Sequence, residues 1–360
     1  MNFKMYFCIS YFKMKFSNQL IYWYLQNNRD LPWRKTKNPY FIWLSEIMLQ
    51  QTRVNQGLEY YLKFTKEFPT VFDLANATES KVLKLWQGLG YYSRARNLHY
   101  SAKYIANELN GEFPNTYEEI KKLKGVGDYT ASAISSICFD EANAVVDGNV
   151  YRVLARYFGI NIPINSTKGI KEFKELAQTL IDHSQPGNFN QAIMDFGALH
   201  CKPQNPLCDT CPFNNSCVAL KNKSIKELPV KEKKIKIKKR YFNYLVMFDT
   251  NNHTIIKERV NKGIWQGLFE FPLIESQQIL DEKSLIATEE FKKIASSFKE
   301  VVLFNEKEIV HKLSHQHLYT KFWIVFKNES LKDSLKWEEV ENYPVPILIA
   351  NFLKKFKPNQ

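Results

Sequence analysis

Four cysteines near the middle of the chain carry the clearest chemical pattern. Cys201, Cys208, Cys211 and Cys217 are separated by six, two and five residues. Six cysteines in 360 residues is far below the density of a disulfide-stapled secreted domain. In a reducing compartment four clustered thiolates bind one tetrahedral metal or one iron-sulfur cluster. Structural zinc usually takes two short pairs, and the array has one, so the spacing favours iron-sulfur over zinc, while the low cysteine density makes a disulfide scaffold the least favoured of the three.

Glu46 is an acidic residue within an apolar segment. Asn38-Pro39 predicts a helix start, and residues 40–49 are apolar on nearly every face. Desolvation raises the pKa of a carboxyl, so Glu46 is expected to hold a proton near neutral pH, as a general acid requires. The alternative is a buried glutamate paired with a basic residue or with a helix end.

Asp147 follows a short apolar run, residues 144–146, and precedes a predicted helix at 150–158. An aspartate before a helix is usually its N-cap, which is one interpretation. The other pairs Asp147 with Glu46. One carboxyl would protonate a leaving group while the other stabilises the cation that develops on a sugar. Such a pair suits cleavage of an N-glycosidic bond.

A helix-hairpin-helix is predicted at residues 116–134. Thr116 and Glu119 have capping-box spacing, Gly125 and Gly127 flank a tight turn, and a second helix begins near Asp128. Two glycines let backbone N–H groups approach a DNA phosphate at a helix N-terminus without reading sequence. A Gly-x-Gly turn between helices is often purely structural, which is the alternative.

Charge indicates the class of partner. Lys and Arg number 50 against 37 Asp and Glu, giving a net charge of +13 and a pI near 9.2. A polyanion, and nucleic acid before membrane, is therefore expected, although the charge could simply keep the surface soluble. No apolar run is long enough to span a bilayer, and the thiols indicate a soluble, intracellular protein.

Composition predicts several domains. An extension at 1–15 is expected to be disordered. An all-α region follows at 16–222, with a six-helix part at about 39–148 and an iron-sulfur part from 16–38 and 149–222. A basic linker at 223–240 has nine basic and two acidic residues. An α+β domain at 241–360 completes the chain, since its segments alternate between strand and helix patterns.

Six motifs in order carry a resemblance to a known family. They are Leu31-Pro32-Trp33-Arg34, residues 43–52 (WLSEIMLQQT), residues 88–94 (GLGYYSR), residues 123–127 (LKGVG), residues 146–150 (VDGNV) and the cysteine array. Together they resemble the MutY-type adenine DNA glycosylases, densely over residues 16–220 and more loosely beyond. The resemblance implies a helix-hairpin-helix core, a [4Fe-4S] cluster on the four cysteines, and a C-terminal Nudix-like domain.

The same resemblance implies an activity. Members remove adenine mispaired with 8-oxoguanine (or guanine) after flipping the nucleoside out of the duplex, as part of base excision repair. On matching positions, Glu46 protonates adenine N7 and Asp147 stabilises the oxocarbenium-like sugar before water adds, while Tyr129 supports the site by hydrogen bonding. Related endonuclease III-like enzymes carry a Schiff-base lysine at position 129. The tyrosine therefore predicts base removal with little or no strand cleavage.

DNA contacts are implied at further positions. Gln51 and Tyr91 would fill or wedge the duplex where the base leaves, although without the resemblance Gln51 is an ordinary surface residue and Tyr91 a core contact. The other expected DNA-contacting residues of the helical region are Arg34, Arg94, Gly125 and Gly127. The expected partner is double-stranded DNA with A:8-oxoguanine or A:G mispairs, bound by a monomer in the bacterial cytoplasm.

The C-terminal domain is expected to recognise the lesion without hydrolysing nucleotides. Residues 265–272 (WQGLFEFP) match the core strand of the Nudix-like domain, but the acidic magnesium-binding helix of Nudix hydrolases is absent. Ser314 and His315 match a loop that contacts 8-oxoguanine in the family. Leu313 departs from the phenylalanine found there, so adenine removal is better supported than lesion preference. The alternatives are a glycosylase for another base, such as thymine opposite guanine, and a non-catalytic iron-sulfur DNA-binding protein.

Overall fold

The computed structural model describes residues 3–232 and 237–358, with side chains from Lys15 onward. The chain forms two compact units. The first unit comprises Met1–Asn76 and Asn97–Lys233, and the second comprises Ala77–Arg96 and Lys234–Gln360. Each unit has its own buried apolar core.

Helices build the first unit. Their bounds are α1 Phe3–Asn27, α2 Pro39–Leu49, α3 Val54–Glu67, α4 Val71–Asn76, α6 Ser93–Glu108, α7 Tyr117–Ile120, α8 Asp128–Phe139, α9 Gly148–Phe158, α10 Thr167–Leu180, α11 Pro186–Asp195 and α12 Val218–Lys221, with α5 Glu79–Leu85 falling in the second unit. The predicted all-α class of this region is therefore confirmed. Helix α6 begins in the second unit and continues into the first.

Local sequence explains how the central helix α2 begins and why it is buried. Asn38 caps it by accepting a hydrogen bond from the backbone N–H of Tyr40, and Pro39 occupies the first turn, where a missing N–H costs nothing. Trp43, Leu44 and Met48 are at most 1% exposed. Burial on nearly all faces fixes where the polar side chains of this helix point.

The hairpin between α7 and α8 forms as predicted. Thr116 caps α7 by accepting from the N–H of Glu119, and α7 ends at Ile120. Gly125 has a φ of +85°, which is favourable for glycine and strained for other residues. Gly127 then occupies the N-cap position of α8, which begins at Asp128.

A mixed sheet forms the centre of the second unit. Its strands are β1 Lys238–Phe248, β5 Leu273–Ser276, β6 Glu300–Leu303, β7 Ile309–Lys312 and β8 Gln316–Phe326, in the order β5-β1-β8-β6 with β7 also paired to β8. Strands β1 and β8 run parallel over their full length and the other pairs are antiparallel. Short strands pair outside this sheet: β2 His253–Thr254 with β9 Leu335–Lys336, and β3 Lys257–Glu258 with β4 Phe269–Glu270.

Helices accompany the sheet, as expected of an α+β domain. They are α13 Glu282–Ile286, α14 Glu289–Ile294 and α15 Ile347–Leu353. Phe322 of β8 stacks on Phe352 of α15 with ring centroids 4.2 Å apart. Strand β7 is not predicted by the sequence, because residues 309–312 alternate between partly buried and exposed positions and none is fully buried.

Residues 77–96 differ from the sequence-based domain boundaries, which place them in the helical region. In the structure they belong to the second unit because their side chains hydrogen-bond to its loops. Lys84 donates to the carbonyl of Tyr343 over 3.2 Å, and Gln87 accepts from the N–H of Val345 over 3.1 Å. Arg96 also donates to the carbonyl of Gln266.

Two other boundaries also differ. In place of the disordered extension expected at 1–15, the backbone is helical from Phe3 onward as part of α1. The basic linker expected at 223–240 ends earlier, because β1 begins at Lys238, and residues 233–236 of that linker lie outside the described part. Within the described residues, no helix combines the length and the apolar character needed to cross a membrane.

Candidate active site

A cavity of about 770 Å³ in the first unit brings together the three predicted catalytic side chains. Glu46 comes from α2, Tyr129 from the first turn of α8, and Asp147 from the residue before α9. Glu46 precedes Tyr129 by 83 residues and Asp147 by 101 residues in sequence, so its convergence with them is a product of the tertiary fold. The cavity is large enough to admit a nucleobase and its sugar.

Glu46 is 8% exposed and sits in a wall that also includes Ile42 and Leu49. Burial raises its pKa to about 7, and the charge of Asp147 acts in the same direction. A hydrogen bond from Tyr129 partly opposes this rise. The carboxyl is therefore poised to hold and release a proton near neutral pH, which suits a general acid.

Asp147 serves as the N-cap of α9 and lines the cavity at the same time. Its Oδ1 accepts from the backbone N–H groups of Asn149 and Val150, each over 2.8 Å. Its Oδ2 accepts from the Asn149 side chain over 2.7 Å. Burial raises its pKa, and these hydrogen bonds counteract the rise by favouring the charged form. The capping and catalytic interpretations are therefore compatible.

Tyr129 lies between the carboxyls and helix α11. Its hydroxyl lies 3.0 Å from the Sδ of Met194 and also hydrogen-bonds to Glu46. Burial, together with the nearby charges of Glu46 and Asp147, raises its pKa well above the ordinary value. The phenol thus stays protonated and can donate to a carboxylate, and it contributes no amine for Schiff-base chemistry.

Arg34 was expected to contact DNA, but the structure places it in an ion pair in the cavity wall. It forms a salt bridge with Asp195, whose side chain is fully buried, and Arg29 forms a second salt bridge with the same carboxylate. The Arg34 side chain is 13% exposed. Because this guanidinium is already paired, Arg34 is placed to shape the cavity wall. A direct contact between Arg34 and DNA stays a prediction.

Sequence reasoning missed Asn149 and Arg152, which join the carboxyl of Asp147 to the cysteine loop. Asn149 donates to Asp147 and accepts from Arg152 over 2.9 Å. Arg152 also donates from Nε to the carbonyl of Cys201 over 2.8 Å. Asn149 and Arg152 are three residues apart on one helix face, so their contact could have been predicted from the sequence. The link from Arg152 to residue 201 could not, because it depends on the tertiary fold.

Gln51 and Tyr91, the two residues predicted to insert into the duplex, both have a positive backbone φ. Gln51 has a φ of +56° and Tyr91 a φ of +49°, in the left-handed region that side-chain-bearing residues adopt rarely. Both side chains are exposed, Tyr91 at 45%. Strained, exposed residues of this kind concentrate at ligand-contacting positions. Their insertion into DNA stays a prediction.

Arg94, a further predicted DNA contact, is 8% exposed. Its guanidinium donates to the carbonyl of Gly90 over 3.0 Å and lies over the rings of Trp86 and Tyr91. Burial lowers its pKa to about 10. In this position Arg94 supports the loop that presents Tyr91, so an influence on DNA would act through that tyrosine.

The predicted lesion-contacting residues lie in the loop between β7 and β8 of the second unit. Ser314 and His315 are exposed and line a cavity of about 390 Å³ with Trp265. The hydroxyls of Ser314 and Tyr91 are 2.5 Å apart, within the second unit. The loop thus places polar side chains at an open pocket beside an aromatic ring, as recognition of a base would require.

The four cysteines of the array lie within residues 201–217, the segment that precedes α12. Burial raises the pKa of the Cys211 thiol to about 12, and the charges of Cys201, Cys208 and Cys217 add to the rise, so these thiols lie close enough to interact electrostatically. Four cysteine thiolates are the usual ligand set of an iron-sulfur cluster. Arg156 donates toward the Sγ of Cys201 over 3.6 Å.

Comparisons with known proteins agree with this arrangement. The HhH-GPD superfamily of base excision DNA repair proteins matches residues 44–186, the iron-sulfur binding domain of endonuclease III matches 201–217, and a NUDIX domain matches 243–355. Fold and domains together define a base-excision DNA glycosylase with a helix-hairpin-helix core.

Relatives identify the family within that class. A protein of Buchnera aphidicola subsp. Baizongia pistaciae named adenine DNA glycosylase is 36% identical over 352 residues, which cover 95% of this chain and 97% of that protein. The human adenine DNA glycosylase is 46% identical over 213 residues, covering 57% of this chain and 39% of the human protein. The chain belongs to the MutY-type adenine DNA glycosylases. It is an enzyme of base excision repair that acts on N-glycosyl bonds in DNA and carries a [4Fe-4S] cluster.

Solved structures share the helical fold. A thermostable thymine-DNA glycosylase is similar with a TM-score of 0.54 and 31% identity, covering 58% of this chain and 97% of that chain. An endonuclease III–DNA complex is similar with a TM-score of 0.50 and 21% identity, covering 61% and 96%. The second likeness concerns the fold alone.

Proposed function

We propose that this enzyme removes adenine mispaired with 8-oxoguanine by hydrolysis. After the adenosine is flipped into the 770 Å³ cavity, Glu46 donates a proton to adenine N7 and the C1′–N9 bond breaks, leaving a cationic sugar. Asp147 stabilises that cation as a carboxylate, and water adds to C1′ and releases a proton to the solvent, from which Glu46 is reprotonated. Tyr129 keeps the acid in place by hydrogen bonding.

The shared cavity is the observation that carries this proposal. Glu46 is desolvated by its wall, which keeps a proton on it near neutral pH. Asp147 accepts three hydrogen bonds from residues of its own helix end, which favour its charged form. Two carboxyls in one site but in different environments can take the acid and the anion roles.

Single-turnover excision with the full chain tests the acid. Glu46→Gln retains size and loses the transferable proton, so the rate on a duplex with adenine opposite 8-oxoguanine should fall on the order of 10²-fold or more. Glu59→Gln makes the same change at an exposed position of α3 and should leave the rate unchanged. Equal rates for the two variants would refute the role of Glu46.

Lesion preference is proposed to depend on the loop between β7 and β8. Ser314 lies in an open pocket where a hydroxyl can hydrogen-bond to an oxidised base. Ser314→Ala should reduce the ratio of excision rates on A:8-oxoguanine and A:G duplexes, whereas Ser297→Ala, an exposed serine of the same unit, should not. An unchanged ratio in Ser314→Ala removes this residue from lesion recognition.

Strand cleavage is proposed to be weak, because position 129 offers a phenol where a Schiff base needs an amine. Borohydride treatment during turnover should trap no covalent adduct, and an efficient adduct would show that a lysine elsewhere in the chain forms a Schiff base with the sugar.

Thymine opposite guanine is a second candidate substrate, favoured by the likeness to a thymine-DNA glycosylase. A faster rate on that duplex than on A:8-oxoguanine would make thymine, in place of adenine, the proposed substrate.

We expect the enzyme to act as a monomer, which sedimentation of the DNA complex would test.

A further inference from the structure

Met194 contacts the phenol of Tyr129 inside the catalytic cavity. Its Sδ accepts a hydrogen bond from the Tyr129 hydroxyl over 3.0 Å. Both side chains line the cavity together with Glu46. Met194 comes from the last turn of α11 and Tyr129 from the first turn of α8, so the contact joins two helices across the site.

The Tyr129 hydroxyl has one proton and two acceptors. It hydrogen-bonds to Glu46 as well as to Met194. A phenol carries a single O–H donor, so a full hydrogen bond to one acceptor weakens the other. A thioether sulfur is a weak, neutral acceptor, whereas a carboxylate is a strong, charged one. The preferred acceptor therefore depends on whether Glu46 is ionised.

A weak second acceptor has a specific use beside a general acid. While Glu46 holds its proton, the phenol can donate to the sulfur. Once Glu46 has given its proton to the base, the phenol can donate to the new carboxylate, and this charge-assisted hydrogen bond stabilises it. If leucine replaced Met194, only Glu46 would remain of the two acceptors. The phenol would then favour the ionised form of Glu46 before the reaction begins.

We propose that Met194 is a positioning residue, whose thioether accepts the hydrogen bond of the Tyr129 hydroxyl until Glu46 has ionised. The inference rests on the proposed role of Glu46 as the acid. Met194 transfers no proton in this role. The O–H stays on Tyr129 throughout and only changes its acceptor, from sulfur to carboxylate, as the base becomes protonated. The thioether thereby helps to keep Glu46 protonated in the resting enzyme.

A purely structural role for Met194 is the alternative. Methionine fills irregular gaps and packs well against aromatic rings without directing a hydroxyl. Leucine has nearly the same volume and should satisfy such a role. A structural role therefore predicts that Met194→Leu leaves the pH dependence of excision unchanged, whereas the positioning role predicts a shift.

Single-turnover excision by the full chain, measured across pH with adenine opposite 8-oxoguanine, tests the proposal. Excision requires protonated Glu46, so in the unmodified chain the rate should fall as pH rises through the pKa of about 7. In Met194→Leu this fall should move to lower pH by about half a unit, which is a roughly threefold lower rate on the alkaline side. The rates of the two proteins should be equal at pH values below the fall.

Ile193→Leu is the matched control. Ile193 precedes Met194 on α11, is 0% exposed and belongs to the apolar core, so its replacement perturbs packing nearby without removing the sulfur. It should keep the original pH dependence. Met194→Gln restores an acceptor on a side chain of similar length and should return the fall to its original pH or higher. An unchanged fall in Met194→Leu, or an equal shift in Ile193→Leu, would overturn the positioning role.

Tyr129→Phe removes the shared proton and gives an independent test. In that background Met194→Leu should no longer move the pH of the fall. The same shift with and without the hydroxyl would show that Met194 acts through packing, and the proposal would be wrong. The other titratable groups that interact with Glu46 or line its cavity are unchanged in every variant: Arg29, Arg34, Arg53, Cys138 and Asp147.

Failure of the proposed acid would give a different result. If Glu46 is not the group that titrates, Glu46→Gln should retain the fall in rate with pH, whatever the behaviour of the Met194 variants. If Glu46→Gln loses the fall and Met194→Leu does not shift it, only the role of Met194 is refuted. Thermal unfolding of each variant checks that the fold is retained.

Discussion

At the scale of single residues, Glu46 pairs a catalytic advantage with a cost in stability. Burial raises its pKa from 4.5 to about 7 in the folded chain, whereas the unfolded chain titrates at the ordinary value. Between these values the native state binds the proton more tightly than the unfolded state does. Stability from this group is therefore present at acid pH and lost as pH rises from about 4.5 to about 7.

Glu46→Gln should accordingly stabilise the fold at pH 8 and much less at pH 4.5. Removing an ionisable group whose pKa is raised by about 2.5 units could gain at most about 3 kcal/mol at high pH. Urea unfolding at the two pH values measures the difference. If the gain in the free energy of unfolding were the same at both pH values, ionisation of the Glu46 carboxyl would not be its cause.

The two roles of Asp147 can be separated by two substitutions. Asparagine retains an oxygen that can accept from the N–H groups of Asn149 and Val150, so Asp147→Asn should change the free energy of unfolding little. Asp147→Ala loses the cap and should cost about 1 kcal/mol more. Both lose the negative charge, so both should slow excision on the order of 10²-fold. Normal excision by Asp147→Asn would show that the residue is a cap alone.

At the scale of elements, the hairpin depends on two glycines for different reasons. Gly125 needs its positive φ, and a Cβ there would meet the Cβ of Asn97 at 2.8 Å. Gly127 has a φ of −101° and open space around it. The first glycine is required by the turn itself, and the second leaves the backbone accessible.

Gly125→Ala should therefore destabilise the chain by about 1–3 kcal/mol, because both the backbone and the Asn97 contact would be strained. Gly127→Ala should change stability by less than about 1 kcal/mol. Thermal unfolding compares the two. If DNA approaches the open backbone at Gly127, this second variant should nonetheless bind a duplex more weakly. Equal unfolding temperatures for the pair would contradict the steric argument.

At the scale of the whole molecule, two arginines of α9 connect the cysteine-bearing loop to the helical unit. The loop that carries the four cysteines is held by Arg152, at the carbonyl of Cys201, and by Arg156. The four cysteines would hold the cluster, and their bonds to iron would fix this loop, which has little regular structure of its own. Loss of a ligand should therefore weaken the surrounding packing as well as the iron site.

Cys211→Ser should lower the iron and sulfide content below four of each per chain and reduce the visible absorption of the cluster. The unfolding temperature should fall by several degrees, because a loop fixed by the cluster becomes free. Cys138→Ser, a cysteine outside the array, is the matched control and should keep full iron. Full iron content in Cys211→Ser would remove this residue from the ligand set.

The sequence by itself predicted the chemistry of the site and much of the local structure. Cysteine spacing indicated the cluster, the apolar run around Glu46 indicated a desolvated acid, and caps and glycines predicted α2 and α8, because these signals depend on near neighbours in the chain. The sequence also predicted that residues 77–96 belong to the helical region, whereas in the structure they belong to the second unit.

Only the tertiary structure decided which distant side chains meet. It brought Glu46 and Asp147 to one cavity, buried Arg34 against Asp195, and paired Asp128 with Lys174. Residues 77–96 belong to the second unit because they contact residues such as Val345. Those partners lie more than two hundred residues away in sequence, so the segment itself does not indicate them. Such contacts depend on how complete elements pack, and the periodicity of one segment contains no information about the surface it will meet.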